Sequence, residues 1–150
     1  MFHIEEEVNH DRRNLIEERL EDSNAARSPV MRALRGTPAD DERPLQLYAR
    51  DADGELAGGL VGYAWGHWLH VDLLWVDERW RGAGLGSRLM AEAERKARDE
   101  LDCLHARVET WGFQAPRFYE KLGYKIVGVV EDYPPGETDH LLVKRIADGA

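Results

Sequence analysis

Three glycines at alternate positions, Gly82, Gly84 and Gly86, separate an apolar segment ending at Val76 from a long amphipathic segment beginning at Leu85. This order predicts a strand, a loop and the N-terminus of a helix. The first turn of a helix has backbone N–H groups without intrahelical partners, and the helix dipole places about half a positive charge there. Glycines let a phosphate approach these groups without obstruction by side chains. The stretch therefore predicts a binding site for a phosphorylated ligand.

Two common phosphate-binding motifs do not fit these glycines. A Walker loop contains a Gly-Lys pair, and this sequence has none. A dinucleotide fingerprint needs a third glycine where Ser87 stands, and it needs a βαβ unit around it. The segments before the loop instead predict antiparallel hairpins, with turns at Asp53-Gly54 and Gly66-His67.

The elements that position this loop follow from hydrophobic periodicity and turn residues. Expected strands cover residues 2–8, 45–50, 55–65, 68–76, 103–110, 124–130 and 139–146. Expected helices cover residues 85–101 and 114–122, a first helix capped by Asn9 or Asp11 and ending near residue 22, and a second helix. That second helix is capped either by Ser23 or Asn24, or by Ser28 over residues 29–34.

This order predicts an α+β (mixed α/β) fold. A central mixed sheet of about six or seven strands, most of them antiparallel, is flanked by about four helices. The helix at residues 85–101 can connect the strand before it to a parallel neighbour. On its solvent face, Glu94 is expected to form an ion pair with Arg98. The length of 150 residues is typical of a single domain, residues 1–150.

Composition limits the classes of function. Twenty basic residues against 29 acidic ones give a formal net charge of −9, which argues against nucleic-acid binding. The same charge is compatible with a cationic substrate or simply with solubility. Cys103 is the only cysteine, so no intramolecular disulfide is possible, and we expect it to be a small buried residue. No signal peptide or apolar span is recognisable, which predicts a cytoplasmic protein without membrane contact.

The pattern Arg81-x-x-Gly84-x-Gly86 resembles the acyl-CoA pyrophosphate loop of the GNAT superfamily of N-acetyltransferases. In that family the loop follows the fourth strand and opens the third helix, as the expected element order does here. Residues 115–124, which end in Tyr-Glu-Lys-Leu-Gly-Tyr, are similar to the family's late helix and the strand after it. The resemblance extends from about Ile4 to Ile146 and is weakest before Leu45. It implies the GNAT fold, with a splayed pair of parallel strands at the cofactor site.

The resemblance implies direct transfer of an acetyl group from acetyl-CoA, the acyl-donor cosubstrate, to a primary amine. A backbone N–H near Trp75 or Val76 would stabilise the negative charge that develops on the thioester oxygen. The implied acetyl-CoA-binding residues are Leu74, Trp75, Val76, Arg81, Gly82, Ala83, Gly84, Leu85, Gly86, Ser87 and Gln114. One position departs from the family, because Gly112 stands where an asparagine often contacts the cofactor. Trp111, Phe113 or Gln114 would supply that contact instead.

The resemblance also implies that Tyr119 gives a proton to the departing CoA thiolate, although packing against the long helix would also explain this residue. The attacking amine must first lose a proton, because an amine with a pKa of about 10.4 is almost fully protonated at neutral pH. Asp72 is the first candidate acceptor, as an acid in an apolar strand on the same face as Val76. His70 shares that face, and Glu109 in the next strand is the third candidate. An ion pair with a neighbouring strand would explain Asp72 equally well.

The sequence leaves the acceptor open between a small-molecule amine and a peptide amino group. No metal is expected, since His67 and His70 have no third ligand at a suitable spacing. Trp65 and Trp68 flank the hairpin turn at Gly66-His67. These aromatic side chains could belong to the core, form a wall for a cationic substrate or form a homodimer interface. The alternative function is a catalytically inactive acyl-CoA-binding regulatory module.

Overall fold

The computed structural model describes residues 1–148, and the chain divides into two compact units, Met1–Thr37 and Pro38–Ala150. The first unit contains helices α1 (His10–Arg27) and α2 (Pro29–Leu34). Asn9 caps α1 by accepting a hydrogen bond from the backbone N–H of Arg12 at 2.9 Å. Ser28 ends α1 and caps α2, since its Oγ accepts the backbone N–H of Met31 at 3.1 Å. The caps at Asn9 and Ser28 are therefore confirmed, whereas α1 runs beyond the expected end near residue 22.

The strand expected over residues 2–8 is wrong, because this segment forms neither helix nor strand. The side chains of Phe2, Ile4 and Val8, whose alternation suggested the strand, are exposed. A strand needs a neighbour that accepts and donates its backbone hydrogen bonds, and alternation alone does not supply one.

The second unit contains the sheet. Its elements are β1 (Arg43–Arg50), β2 (Leu56–Trp65), β3 (Trp68–Val76), α3 (Leu85–Leu101), β4 (His105–Trp111), α4 (Pro116–Lys121), β5 (Lys125–Glu131) and β6 (Thr138–Arg145). Within residues 1–148 the six strands lie in the order β1-β2-β3-β4-β6-β5. β3 and β4 are parallel, and the other neighbouring strands are antiparallel. The predicted α+β class, mixed sheet and parallel pair are confirmed.

The hydrophobic core lies on one face of this sheet. Helix α3 covers that face with Leu89, Met90, Ala93 and Ala97, each at most 7% exposed. Helix α4 covers the same face, because its Tyr119 belongs to the same buried cluster. Hence α3 and α4 mark one side of the sheet, and the alternate residues of each strand point to the other side.

A buried carboxylate joins α3 to β6 and to the residue that precedes β5. Glu94 accepts a hydrogen bond from the Tyr124 hydroxyl at 2.9 Å and from Lys144 Nζ at 2.7 Å. The expected exposed pair of Glu94 with Arg98 is therefore wrong. Glu94 follows Met90 by four residues, which places it over the same buried face of α3. Burial, followed by the charge of Glu94, raises the pKa of Tyr124.

We expect Glu94→Ala to lower the free energy of unfolding by about 2–3 kcal/mol, because Lys144 and the Tyr124 hydroxyl would lose their shared partner. Urea unfolding followed by circular dichroism measures this change. Glu92→Ala is the matched control, since Glu92 is an exposed acid on the same helix that pairs with Arg95. A Glu94 variant that unfolds at the same urea concentration as the Glu92 variant would contradict the prediction.

Candidate active site

The parallel strands β3 and β4 separate halfway along their length. Their ladder begins at the pair Trp68 and His105 and ends at the pair Val71 and Val108. Both strands continue, β3 to Val76 and β4 to Trp111, and in the described chain no ladder pairs join them there. The sheet therefore opens between the carboxyl ends of these two strands.

A cleft of about 810 Å³ lies at this opening on the side of α3 and α4. Its walls are formed by Leu74, Trp75, Val76, Trp80, Arg81, Gly82, Gly84, Leu85, Gly86, Ser87, Thr110, Phe113, Gln114, Ala115, Phe118 and Tyr119. The cleft thus brings together Tyr119 and each residue expected to bind acetyl-CoA except Ala83. Ala83 lines a neighbouring groove between β1 and α3. Sequence reasoning missed Trp80, which ends a short 3-10 helix after β3, and Thr110, which lies inside β4 after Glu109.

The loop before α3 presents open backbone to this cleft. Gly82 and Gly84 have φ angles of +84° and +80°, a region that favours glycine, and a Cβ on either residue would meet no atom within 4 Å. Gly84 occupies the N-cap position of α3, and in this described segment no side chain caps the helix. The first N–H groups of α3 are therefore available to an anion, and the residues fit a pyrophosphate.

Gly86 has a different role from the other two glycines. A Cβ at this position would lie 3.2 Å from Cζ of Phe118 on α4 and 3.7 Å from Cγ2 of Val76 on β3. The absence of a side chain therefore lets α4 pack closely against the start of α3. Gly86 shapes the cleft through this packing.

Two polar side chains of the predicted site hold its walls. Arg81 donates from Nε to the backbone oxygen of Val76 at 3.2 Å. Gln114 accepts hydrogen bonds at Oε1 from the Thr110 hydroxyl and from the backbone N–H of Trp111, both at 3.2 Å. These bonds fix the loop before α3 and the turn before α4 on opposite sides of the cleft.

The two residues considered for the oxyanion site present their backbone N–H groups in opposite directions. The N–H of Asp77 donates to the backbone oxygen of Ala57 at 2.8 Å, one residue beyond the last pair of β2 with β3, Gly58 with Val76. Because alternate residues of a strand bond to the same neighbour, the N–H of Trp75 also points towards β2. The N–H of Val76 therefore points to the other edge of β3, where the sheet opens. Of the two, Val76 is the one that presents a donor to the cleft.

Tyr119 lies in the wall of the cleft with a side chain that is 7% exposed. Its ring makes edge contacts with Phe118 and Tyr124, at centroid distances of 5.0 Å and 5.9 Å. Burial raises the pKa of Tyr119 to about 12. The hydroxyl therefore remains protonated near neutral pH, and among residues 1–148 it has no hydrogen-bond acceptor. Tyr119 can thus donate a proton to a group bound in the cleft.

The three candidate proton acceptors lie outside this cleft. Leu69 and Val71 of β3 belong to the core under α3, so His70 and Asp72 alternate onto the opposite face. Asp72 stands at a β-bulge, because Val61 pairs with Leu73 while the next residue of β2 pairs with Val71. The bulge depends on Gly62, where a side chain would collide with the backbone oxygen of His70.

The bulge shifts the alternation of β3 by one residue. Leu73 is 63% exposed, whereas Leu74 packs against the core. Val76 lies beside Gly86 on the side of α3. The expectation that Asp72 and Val76 share a face is therefore wrong, and the reason is the extra residue between them.

His70 stacks on Tyr63 of β2, with ring centroids 4.5 Å apart and an interplanar angle of 6°. Burial and then the positive charge of Arg107 lower the pKa of His70, although Asp72 acts in the opposite direction. The imidazole is thus neutral near neutral pH. His70 can accept a proton, but its lowered pKa makes it a weaker base than an exposed histidine.

Glu109 alternates with the buried residues Val108 and Thr110, so it lies on the same face as His70. Its carboxylate lies 3.7 Å from Arg107. Burial, followed by a hydrogen bond with Asp139 and the charge of that group, raises the pKa of Glu109. Asp139 is only 8% exposed, and sequence reasoning missed it. An acid two residues before the apolar segment Leu141 to Val143 was the available signal.

Gly112, where the family often has asparagine, lies beside His140. A Cβ at Gly112 would be 3.5 Å from Cε1 of His140, and the backbone N–H of Gly112 donates to Thr138 at 2.9 Å. The glycine therefore leaves room for the histidine ring.

Within residues 1–148, no group of three or more His, Cys, Asp or Glu side chains is arranged to hold a metal ion. None of the described helices combines the length and apolar character that crossing a membrane requires. Cys103 is 1% exposed, as expected for a small core residue, and burial raises its pKa.

The chain matches known acetyltransferases. The model of the acetyltransferase (GNAT) family matches residues 8–124. A blasticidin-S acetyltransferase from Streptomyces morookaense is 58% identical over 131 residues, which cover 85% of this chain and 96% of that protein. The acetyltransferase Atu2258 from Agrobacterium fabrum (strain C58 / ATCC 33970) is 37% identical over 105 residues, covering 70% and 76%. An acetyltransferase from Bacillus cereus ATCC 14579 has a crystal structure with a TM-score of 0.81 and 34% identity, covering 96% of this chain and 97% of that one.

We expect Gly84→Val to weaken acetyl-CoA binding by about 10–100-fold, because a branched side chain would stand over the N–H groups at the start of α3. Isothermal titration calorimetry measures the Kd. Gly54→Val is the matched control, since Gly54 has a φ of +82° and open space around its Cβ position but lies in the turn between β1 and β2. Equal affinities of the two variants for acetyl-CoA would remove the loop from the site.

Proposed function

The chain belongs to the acetyltransferase (GNAT) family, and from this membership we propose that it acetylates an amine of blasticidin S or a related small-molecule antibiotic. The observation that carries the proposal is the 58% identity to a blasticidin-S acetyltransferase, over 96% of that relative. Identity at this level over nearly the whole relative favours a shared class of acceptor over a peptide. The chain is an N-acetyltransferase. The alternative of a catalytically inactive acyl-CoA-binding regulatory module is therefore not required to explain the sequence.

Acetyl-CoA is the proposed acetyl donor, and when bound it supplies a thioester that an amine can attack. The cleft at the opening of the sheet fits this molecule, because the uncapped start of α3 provides donors for its pyrophosphate. Gly82, Gly84 and Ser87 would hold the phosphates, together with the backbone of the loop. The strand segment from Leu74 to Val76 would lie beside the thioester.

The side chains around the opening support a direct transfer. The N–H of Val76 is the proposed donor to the developing negative charge on oxygen. Tyr119 is the proposed general acid, because it keeps its proton and lines the same cleft. The amine proton is taken by an acceptor among Asp72, His70 and Glu109, on the opposite face of the sheet.

We also propose that residues 1–150 act as one acetyltransferase domain. The family match at residues 8–124 includes parts of both compact units. Deletion of residues 1–37 should therefore abolish acetyl transfer rather than leave a working enzyme.

Incubation of the protein with acetyl-CoA and blasticidin S tests the proposed function. We expect release of free CoA thiol and a product heavier by one acetyl group, seen by mass spectrometry. A panel of other amines and of peptides gives the specificity. A protein that binds CoA but releases no thiol with any amine would instead be the inactive binding module.

We expect Tyr119→Phe to lower kcat by about 100-fold with little change in the KM for acetyl-CoA, because the variant keeps the ring and loses the proton donor. Steady-state thiol release measures both constants. The control is Tyr48→Phe, which removes an exposed hydroxyl on β1 that donates to Gln46. Wild-type turnover in Tyr119→Phe would exclude the hydroxyl from the reaction.

A further inference from the structure

Glu109 and Asp139 form a pair of neighbouring carboxyl groups on the face of the sheet opposite α3. In the antiparallel ladder of β4 with β6, Glu109 pairs with Leu141 and Trp111 pairs with Asp139. The two acids are therefore diagonal neighbours on one face. Asp139 is 8% exposed, whereas Glu109 is open to solvent. One carboxyl group is thus fixed in the protein and the other is accessible to a ligand.

The pair stands at the edge of the opening between β3 and β4. Val108 is the last residue of β4 that pairs with β3, and Glu109 follows it directly. On β3, the residue after the last pair is Asp72, at the bulge. Carboxyl groups therefore lie on both edges of the opening, and Tyr119 lines the cleft on the other side of the sheet. A ligand that enters the opening from the face of Glu109 approaches the acetyl-CoA cleft.

The charges around this opening favour a cation. Arg107 lies beside Glu109 on the same strand, and His70 lies opposite Arg107 in the ladder with β3. His70 is neutral near neutral pH because burial and Arg107 lower its pKa. Among the charges that act on the pKa of Glu109, the acid is Asp139 and the cation is Arg107, and Asp72 adds a further carboxyl group at the other edge of the opening. The local excess of negative charge suits the ammonium group of an acceptor amine.

We propose that Glu109 and Asp139 act as one unit in which Glu109 binds the ammonium of the acceptor and takes its proton, while Asp139 positions Glu109. The inference rests on the proposed acetyltransferase function, and it selects one proton acceptor from the three candidate side chains. In the step, an N–H bond of R–NH3+ breaks and its electron pair stays on nitrogen. The proton forms an O–H bond with the Glu109 carboxylate, which leaves R–NH2 and a neutral carboxylic acid.

Asp139 improves the base by making its proton affinity higher. Burial and the neighbouring Asp139 both raise the pKa of Glu109, while Arg107 lowers it. Because Glu109 works as a carboxylate, kcat/KM for the acceptor should fall as the pH drops through the pKa of Glu109. Asp139→Asn removes the neighbouring charge, so that pKa should move down and the acidic limb should shift to lower pH.

The experiment compares pH profiles of kcat/KM for blasticidin S, or for the best amine of the panel, in wild type and variants. We expect Asp139→Asn to shift the acidic limb down by about 0.5–1 pH unit and Glu109→Gln to lower kcat/KM by about 100-fold. Glu131→Gln is the matched control, since it removes an exposed carboxylate at the end of β5. Ionisation of the acceptor amine is the same for all variants, so differences between the profiles report the protein.

A second measurement does not depend on turnover. The carboxyl carbon of Glu109 can be followed by NMR titration in folded wild type and in folded Asp139→Asn, and we expect a lower pKa in the variant. An unchanged pKa together with an unshifted acidic limb would overturn the positioning role of Asp139. A limb that survives in Glu109→Gln and disappears in Asp72→Asn would overturn the assignment of the base. If wild type releases no thiol with any amine, the proposed function itself is wrong, and this role falls with it.

Discussion

The site depends on one constraint, which is that β3 and β4 stop pairing while both strands continue. Backbone groups on the inner edges of the two strands then lack the ladder partners that a continuous sheet would provide. The structure satisfies one of them locally, since Arg81 donates to the oxygen of Val76. The N–H of Val76 remains directed into the opening. The separation thus produces both a cleft and a polar group inside it, and neither would exist in an unbroken sheet.

Small residues make this separation compatible with a packed sheet. Gly62 allows β2 to approach the bulge of β3, and Gly86 allows α4 to approach the start of α3. The hydrogen bonds of the buried Glu94 with Tyr124, which precedes β5, and with Lys144 of β6 then connect α3 to the part of the sheet beyond the opening. The second unit is consequently held together across the gap by its helices, and the cleft can remain open without loss of the core.

Much of the fold could be predicted because local signals agreed with the tertiary structure. The stripe of α3 from Leu85 to Leu101 and the hairpin turn at Gly54 were found at the expected places. The strand over residues 2–8 was wrong because pairing is a property of the partner, which alternation does not reveal. The predicted exposed ion pair of Glu94 with Arg98 was wrong, because the charge of Glu94 was given more weight than its spacing of four residues from the buried Met90.

The site was predictable where it depends on backbone chemistry and less so where it depends on register. The glycine loop correctly predicted the position of the cleft, because alternate glycines directly before a helix have few other uses. The bulge at Asp72 could not be seen, since an extra residue in a strand leaves the sequence pattern almost unchanged. Asp139 lies far from Glu109 in the sequence, and only the pairing of β4 with β6 places the two acids together.

The opening of the sheet also has a consequence for the kinetic mechanism of the proposed reaction. In the proposed reaction, the donor lies on the side of α3 and the acceptor arrives through the opposite face, so neither occupies the path of the other. Both can be present at the same time, and the acetyl group need not be stored on the protein between two half-reactions. Cys103, the one thiol in the sequence, is buried in the core with a raised pKa and does not line this route. A ternary complex with separate entrances is the kinetic form that this architecture favours.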